Sequence, residues 1–435
     1  MPSLPSRYAA GILLILTVLT SKAYEAGYYR AVSALADGRW VKVAVDTTGV
    51  YEISDSQLRE WGFANPAEVH VYGYGGVAAH EQHFDGTVPD ALPIAPSVRT
   101  TDGRLVFYAE GPVRAWFRGS SKELVDVQRN PYSRQAYYLL TDKGTNLKPK
   151  RQEYASRATD AVRWHYAIGL AENELTGFNG GSVFHGRPLS AGESETTKFR
   201  LRNPGWDNDE EPVVKYRVET AANTRQAMVF DLSFSDNVTV GAMTRPVCAA
   251  NTVTPILYTR GEGYAYLTLG DSDTRDIVVE ATSGVPASAS PSYAAVDRSY
   301  IIYPRRNIVE PDMSELMLNL VDISGVENIL IEGATATTCV WDVTNPTDVT
   351  ILGTSATDDG IEATLTPGQG IGRRLVAFDP SARHRQVSFA GEIAGQNIHG
   401  EATPDMLIIT TTTMLEAQLL MFESGEVQMC NGLIL

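Results

Sequence analysis

Apolar and polar positions alternate along much of the chain with the period of two that a half-buried strand requires. The first such run is Trp40-Val41-Lys42-Val43-Ala44-Val45, which Asp46-Thr47-Thr48-Gly49 turns into Val50-Tyr51-Glu52-Ile53. That pattern predicts a β-hairpin. Ser54 through Gly62 follows with Gln57 three residues after Ser54 and a glycine where a helix would stop, so one short capped helix is expected. Strands are predicted at 69–72, 105–108 and 137–141, separated by Gly, Pro and Asp clusters that supply turns. Residues 142–159 hold Gly144, Pro149 and several charges but no apolar period, so a module boundary is placed there.

Beyond it, 164–168, 197–201, 213–218, 228–234, 265–269 and 277–281 read as short strands without helical periodicity, the mark of a β-sandwich. A Ser/Ala/Pro-rich loop at 283–292 leads to a strand at 300–303, and more strands are predicted at 328–332, 338–341, 349–352 and 375–378. The pattern changes near the end. Asp405-Met406-Leu407-Ile408-Ile409-Thr410 is a continuous apolar strand, and Met414, Leu415, Gln418, Leu419 and Phe422 recur at helical spacing across 413–423. The expected fold class is therefore mainly β, with tandem β-sandwich-like modules followed by a truncated first βα unit of a parallel α/β domain.

At the N-terminus, Arg7 precedes an apolar run over 9–19, and Ser21 and Ala23 flank Lys22, which predicts a secretory signal peptide cut before Tyr24. The run is short of the ~20 residues that cross a bilayer, so no transmembrane segment is expected in the mature chain. No cysteine follows the predicted cut, which argues against a lipidated N-terminus. The chain carries 52 acidic against 36 basic side chains, a formal charge of −16. Such a surface repels nucleic acid and anionic lipid. Its 435 residues imply about two to four domains. Three cysteines make no disulfide framework; Cys248 and Cys339 are read as isolated thiols, with a bridge between them as the alternative in an oxidising compartment.

Chemical motifs do not assemble. Gly73-Tyr74-Gly75-Gly76 lacks the Lys-Ser/Thr pair of a phosphate loop and reads as a turn. Ser182 and His185 sit in Gly181-Ser182-Val183-Phe184-His185-Gly186, where Phe184 occupies a position that a nucleophile elbow gives to glycine. Asp207-Asn208-Asp209-Glu210-Glu211 lacks the turn glycine and distal Glu of a calcium loop, and His80 and His83 have no third nearby zinc ligand. His399 and Cys430 flank the terminal βα unit, but His399 precedes its strand, whereas a dyad should lie beyond strand carboxyl ends. No catalytic, cofactor or metal site is expected.

A series of stretches carries a resemblance: WVKVAVDTTGVYEI at 40–53, VHVYGYGG at 69–76, LVFYAEGP at 105–112, NPYS and YYLLT within 130–141, VWDVTNP at 340–346 and RLVAFDP at 374–380. In this order and spacing they resemble the PorU-type sortases of the Bacteroidetes type IX secretion system. Gln396 through Gly400 and Pro404 through Thr410 resemble the entrance to that family's gingipain-like cysteine peptidase domain. The family's catalytic His and Cys come later, and the chain departs from the pattern after about residue 422, so neither is carried over; His399 matches the entrance motif alone.

The expected organisation is a signal peptide at 1–23, an N-terminal β-rich module at 24–158, a β-sandwich-like module at 159–303, a β-rich module at 304–385 and, as the resemblance implies, a truncated start of the gingipain-like domain at 386–435. It implies an exported protein of the cell surface or periplasm, associated with outer-membrane attachment-complex proteins. A full-length member removes C-terminal secretion signals from cargo and transfers the cargo to lipopolysaccharide, while this chain is expected to be inactive alone. The alternative is a stand-alone β-rich surface binding protein with no peptidase activity.

Overall fold

In the computed structural model, Trp40–Val45 (β1) and Gly49–Ile53 (β2) are strands, but they do not pair with each other, which corrects the predicted hairpin. The structure describes residues 32–73, 75–76, 92–130, 132–144, 147–157, 160–172, 176–177, 184–205, 213–250, 258–269, 276–284, 293–368 and 370–397. The expected leader, His80, His83, Ser182, the acidic run 207–211, His399, the 406–410 strand, the 413–423 helix and Cys430 lie outside them.

The reason β1 and β2 separate is burial. All of β2 and nearly all of β1 is buried, so each strand needs cover on both faces and the turn carries the chain from one sheet to another. Asp55–Glu60 is the predicted helix (α1), with both halves of the capping box in place: Gln57 N–H donates to Ser54 Oγ at 3.2 Å, and Ser54 N–H to Gln57 Oε1 at 2.9 Å. Its Leu58 is fully buried. Next come His70–Tyr72 (β3), Leu105–Ala109 (β4), the hairpin Val113–Phe117 (β5) and Val125–Arg129 (β6), and Ala136–Thr141 (β7). β7 pairs antiparallel with β1, Val43 opposite Tyr138, and with β3. β4 pairs antiparallel with β2. Val41, Val43, Tyr51, Ile53, Phe107, Tyr138 and Leu140 fill the core between these two sheets.

The second module is a sandwich. Its larger sheet runs in the order Trp164–Glu172 (β8), Tyr293–Arg306, Val213–Asn223, Thr259–Leu269, Val238–Thr244. The facing sheet contains Ser194–Arg200, Asp276–Ser283 and Met228–Phe234, closed by the short strand Val247–Cys248. Strand Thr259–Leu269 shows the alternation most clearly, sending Gly261, Gly263, Ala265, Leu267 and Leu269 inward and Arg260, Glu262, Tyr264 and Tyr266 outward. The two glycines lie where residues 246–248 cross between sheets: a Cβ at Gly263 would come within 2.5 Å of Pro246 Cδ, and one at Gly261 within 2.7 Å of the Val247 carbonyl carbon.

The third core packs Glu315–Leu320, Cys339–Asp342 and Arg373–Phe378 against Glu327–Glu332 and Gly360–Leu365. It is not a separate bead, because Val50, Val106 and Tyr108 of β2 and β4 form a shared cluster with Trp341, Val376 and Phe378. β4 thus presents Leu105 and Phe107 to one core and Val106 and Tyr108 to another, which accounts for its unbroken apolar sequence. The polar stretch read as a linker lies along this third module: Lys150–Arg151 pairs with Thr350–Ile351, and Ala155 N–H donates to Thr364 Oγ1 at 2.9 Å.

After Phe378 the chain returns to its beginning. Arg385–Gln386 pairs parallel with β2, and Ser388–Ile393 pairs antiparallel with β1 as a sheet edge. Residues 386–393 therefore belong with the first module's sheets, where the sequence had set 386–435 apart as a start of the peptidase domain. Residues 39–393 form one compact unit. In the other unit, Gln396 N–H donates to the Leu35 carbonyl at 2.9 Å and Ser33 N–H to Asn397 Oδ1 at 2.8 Å.

Candidate functional site

Among the described residues, most of the buried charged groups lie at the joint between the first and third cores. The end of β4 places Glu110 there, fully buried, paired with Arg374 from strand Arg373–Phe378 and at 3.2 Å with Arg114 of β5. Arg374 Nη2 also donates to the carbonyls of Val343 at 3.3 Å and Thr344 at 3.1 Å, so the guanidinium spans two structures. Beside it, burial pushes the Tyr108 hydroxyl above its ordinary value and keeps it neutral.

Glu52 is the second focus. Its carboxylate pairs with Arg104 and accepts from Gln386 Nε2 at 2.8 Å, Arg383 Nη1 at 3.3 Å and the His384 N–H at 3.3 Å. Burial alone would raise this carboxyl, but the bonds from Arg104, His384 and Arg383 outweigh it and hold the pKa below the ordinary glutamate value. Arg104 continues outward to Asp102 at 2.8 Å and to the carbonyls of Ala382 at 2.6 Å and Ser381 at 2.8 Å.

Glu315 is the third focus. It accepts from Val50 N–H at 2.6 Å and from Arg385 Nη1 at 2.6 Å. Here burial prevails and raises the carboxyl. At Gly49 a Cβ would collide with both the Arg385 guanidinium and the Glu315 carboxylate, so any side chain there would have to push this pair aside.

A second feature is an open cleft of about 520 Å³ between Arg200, Leu201, Arg202 and Asn203 on one side and Glu310, Pro311 and Asp312 on the other. Asn203 there has φ 42°, the only positive φ outside glycine among the described residues. Across the cleft, Arg202 reaches Glu310 at 3.1 Å and Asp312 at 3.9 Å.

Neither place brings a nucleophile to a base. His165 is buried, with Nδ1 2.7 Å from Asn307 Oδ1, and burial drives its pKa down to about 3, so it is a neutral core residue. His384 Nε2 lies 2.9 Å from the Asp379 carbonyl oxygen. Cys248 and Cys339 are free thiols, which removes the alternative of a bridge between them, and burial raises both pKa values. Among the described residues no group of three His, Cys, Asp or Glu side chains could hold a metal ion.

The sequence reading passed over Glu52, Glu110, Arg104, Arg374 and Glu315. The signal was present: Glu52 and Glu110 each interrupt or close an apolar run that has no polar face to put them on.

Comparison with solved structures gives a likeness of fold. The crystal structure of dimeric latent PorU from Porphyromonas gingivalis matches with a TM-score of 0.74 at 23% sequence identity, covering 91% of this chain and 37% of the PorU chain. The chain has the fold of part of that protein and spans little more than a third of its length. No protein-family model matches the chain, and no curated protein does. Among the described residues no helix is long and apolar enough to cross a membrane.

Proposed function

We propose that this chain is the non-catalytic, β-rich N-terminal part of a type IX secretion cell-surface sortase. Its role is that of a scaffold: three interlocked β modules supply a rigid exported body for docking to outer-membrane attachment-complex proteins. Removal of C-terminal secretion signals and transfer of cargo to lipopolysaccharide are chemistry of the full-length family, and this chain is inactive in it alone. The observation that carries the reading is the match of fold over 91% of the chain, which agrees with the ordered series of resembling stretches from Trp40 to Pro380.

The test uses purified residues 24–435 and peptides ending in a type IX secretion signal. No thiol-dependent cleavage or transpeptidation is expected, while the same protein immobilised as bait should retain attachment-complex proteins from an outer-membrane extract. Turnover abolished by Cys430→Ala would overturn the non-catalytic reading, and failure to retain any attachment-complex protein would overturn the scaffold role.

A further inference from the structure

We propose that residues 379–393 form a detachable strap, docked on the first core at neutral pH and released by acid. The segment leaves the third core after Phe378, crosses to β2 through Arg385–Gln386 and ends as the edge strand Ser388–Ile393 along β1. Its hold on the first core is mainly polar, with Val387 packed into that core's apolar cluster. Val387 is buried, but Ser388, Phe389 and Ala390 are exposed, with Phe389 leaning on Trp61 at 5.6 Å between ring centroids. The pairing with β1 is also broken by a register shift at Lys42/Val43. What fixes the strap is the set of donors converging on Glu52, the Arg104 bonds to the carbonyls of Ser381 and Ala382, the Arg385–Glu315 pair and an ion pair from Glu392 to Arg39.

His384 supplies the sensitivity to acid. With Nε2–H donating to the Asp379 carbonyl, the ring is neutral, and Nδ1 is buried with no partner, so a second proton would be an unmet buried donor. The charged groups facing His384 are Glu52, Arg104 and Asp379. Burial lowers its pKa, and the pull of Asp379 and Glu52 does not reverse this. A depressed pKa means docking stability present above the free histidine value of about 6.5 and lost as pH falls from there. Glu52 acts in the same direction at lower pH, because its depressed carboxyl gives stability that is lost as pH falls below about 4.3. Glu315 runs the opposite way, its raised carboxyl taking a proton more readily in the docked state, so it does not drive release.

The experiment is amide hydrogen exchange read by mass spectrometry on the intact chain at pH 7.5 and 5.5, corrected for intrinsic rates. Peptides spanning 385–393 are compared with peptides from strand Val213–Asn223. Protection of the strap should fall by up to about tenfold at the lower pH, the limit for one proton one unit below 6.5, while the reference strand is unchanged. His384→Gln, whose ε-amide keeps a donor toward the Asp379 carbonyl without a titrating ring, should remove this response. Arg383→Ala, at a side chain 77% exposed, should lower strap protection at both pH values without touching either core. Strap protection that tracks the reference strand, or a full pH response in His384→Gln, would overturn the proposal.

Discussion

The second module and the joint between the first and third modules solve the same packing problem with opposite chemistry. In the sandwich, Phe199, Tyr216, Phe230, Leu267, Ile277, Val279 and Ile301 meet as an almost wholly apolar interior. At the joint, Glu52, Glu110 and Glu315 are buried beside an apolar cluster and must each be met by arginine or backbone donors. The sandwich interior holds by non-directional burial and tolerates repacking. The joint is sensitive to the loss of any one donor, since a buried charge without its partner costs far more than the pair contributes. The contrast teaches that stability and register are separable: the apolar cluster holds the first and third modules together, and the ion pairs fix how they meet.

The largest effect should come from breaking a joint pair. Arg374→Met leaves Glu110 buried with Arg114 as its remaining cation and should lower unfolding free energy by about 3–5 kcal/mol in urea titration. A cavity in the sandwich comes next: Phe230→Ala removes a fully buried ring and should cost about 3–5 kcal/mol, the lower part of that range if neighbouring side chains collapse inward. It should show the same loss at pH 7 and pH 5. Acid should distinguish the regions in the unaltered protein as well. Glu52 contributes stability that is present above about pH 4.3 and is lost as pH falls through its lowered value, so near pH 4 exchange protection in β2 should drop before that of the sandwich strands. The smallest effect belongs to the surface pair Lys150–Asp348 at 2.6 Å, where both side chains are at least half exposed; Asp348→Asn should change stability by about 0–1 kcal/mol.

These differences also mark what the sequence could and could not disclose. The alternation of Met228–Phe234 and the capping box at Ser54 and Gln57 depend on neighbours a few residues away, and both elements lie where the pattern put them. The pairing of β1 was misread because its partners, β7 and Ser388–Ile393, are remote in sequence, while the nearest strand, β2, joins another sheet. Likewise the stretch after Thr141 lacks apolar periodicity, yet its backbone pairs with Thr350–Ile351, a contact that no local pattern encodes. The joint was hidden for the same reason: Glu110 and Arg374 are 264 positions apart, and although the apolar run before Glu110 marks that residue, nothing local names its partner.

The most direct test of this account is a double-mutant cycle on that pair, with Glu110→Gln, Arg374→Met and the two combined, each measured by urea unfolding at pH 7. If the pair sets the register of the joint, the double variant should be nearer to the unaltered protein than Arg374→Met is, with a coupling of about 3 kcal/mol. Losses that add to within about 0.5 kcal/mol would show that the two charges act independently and would contradict an ionic joint.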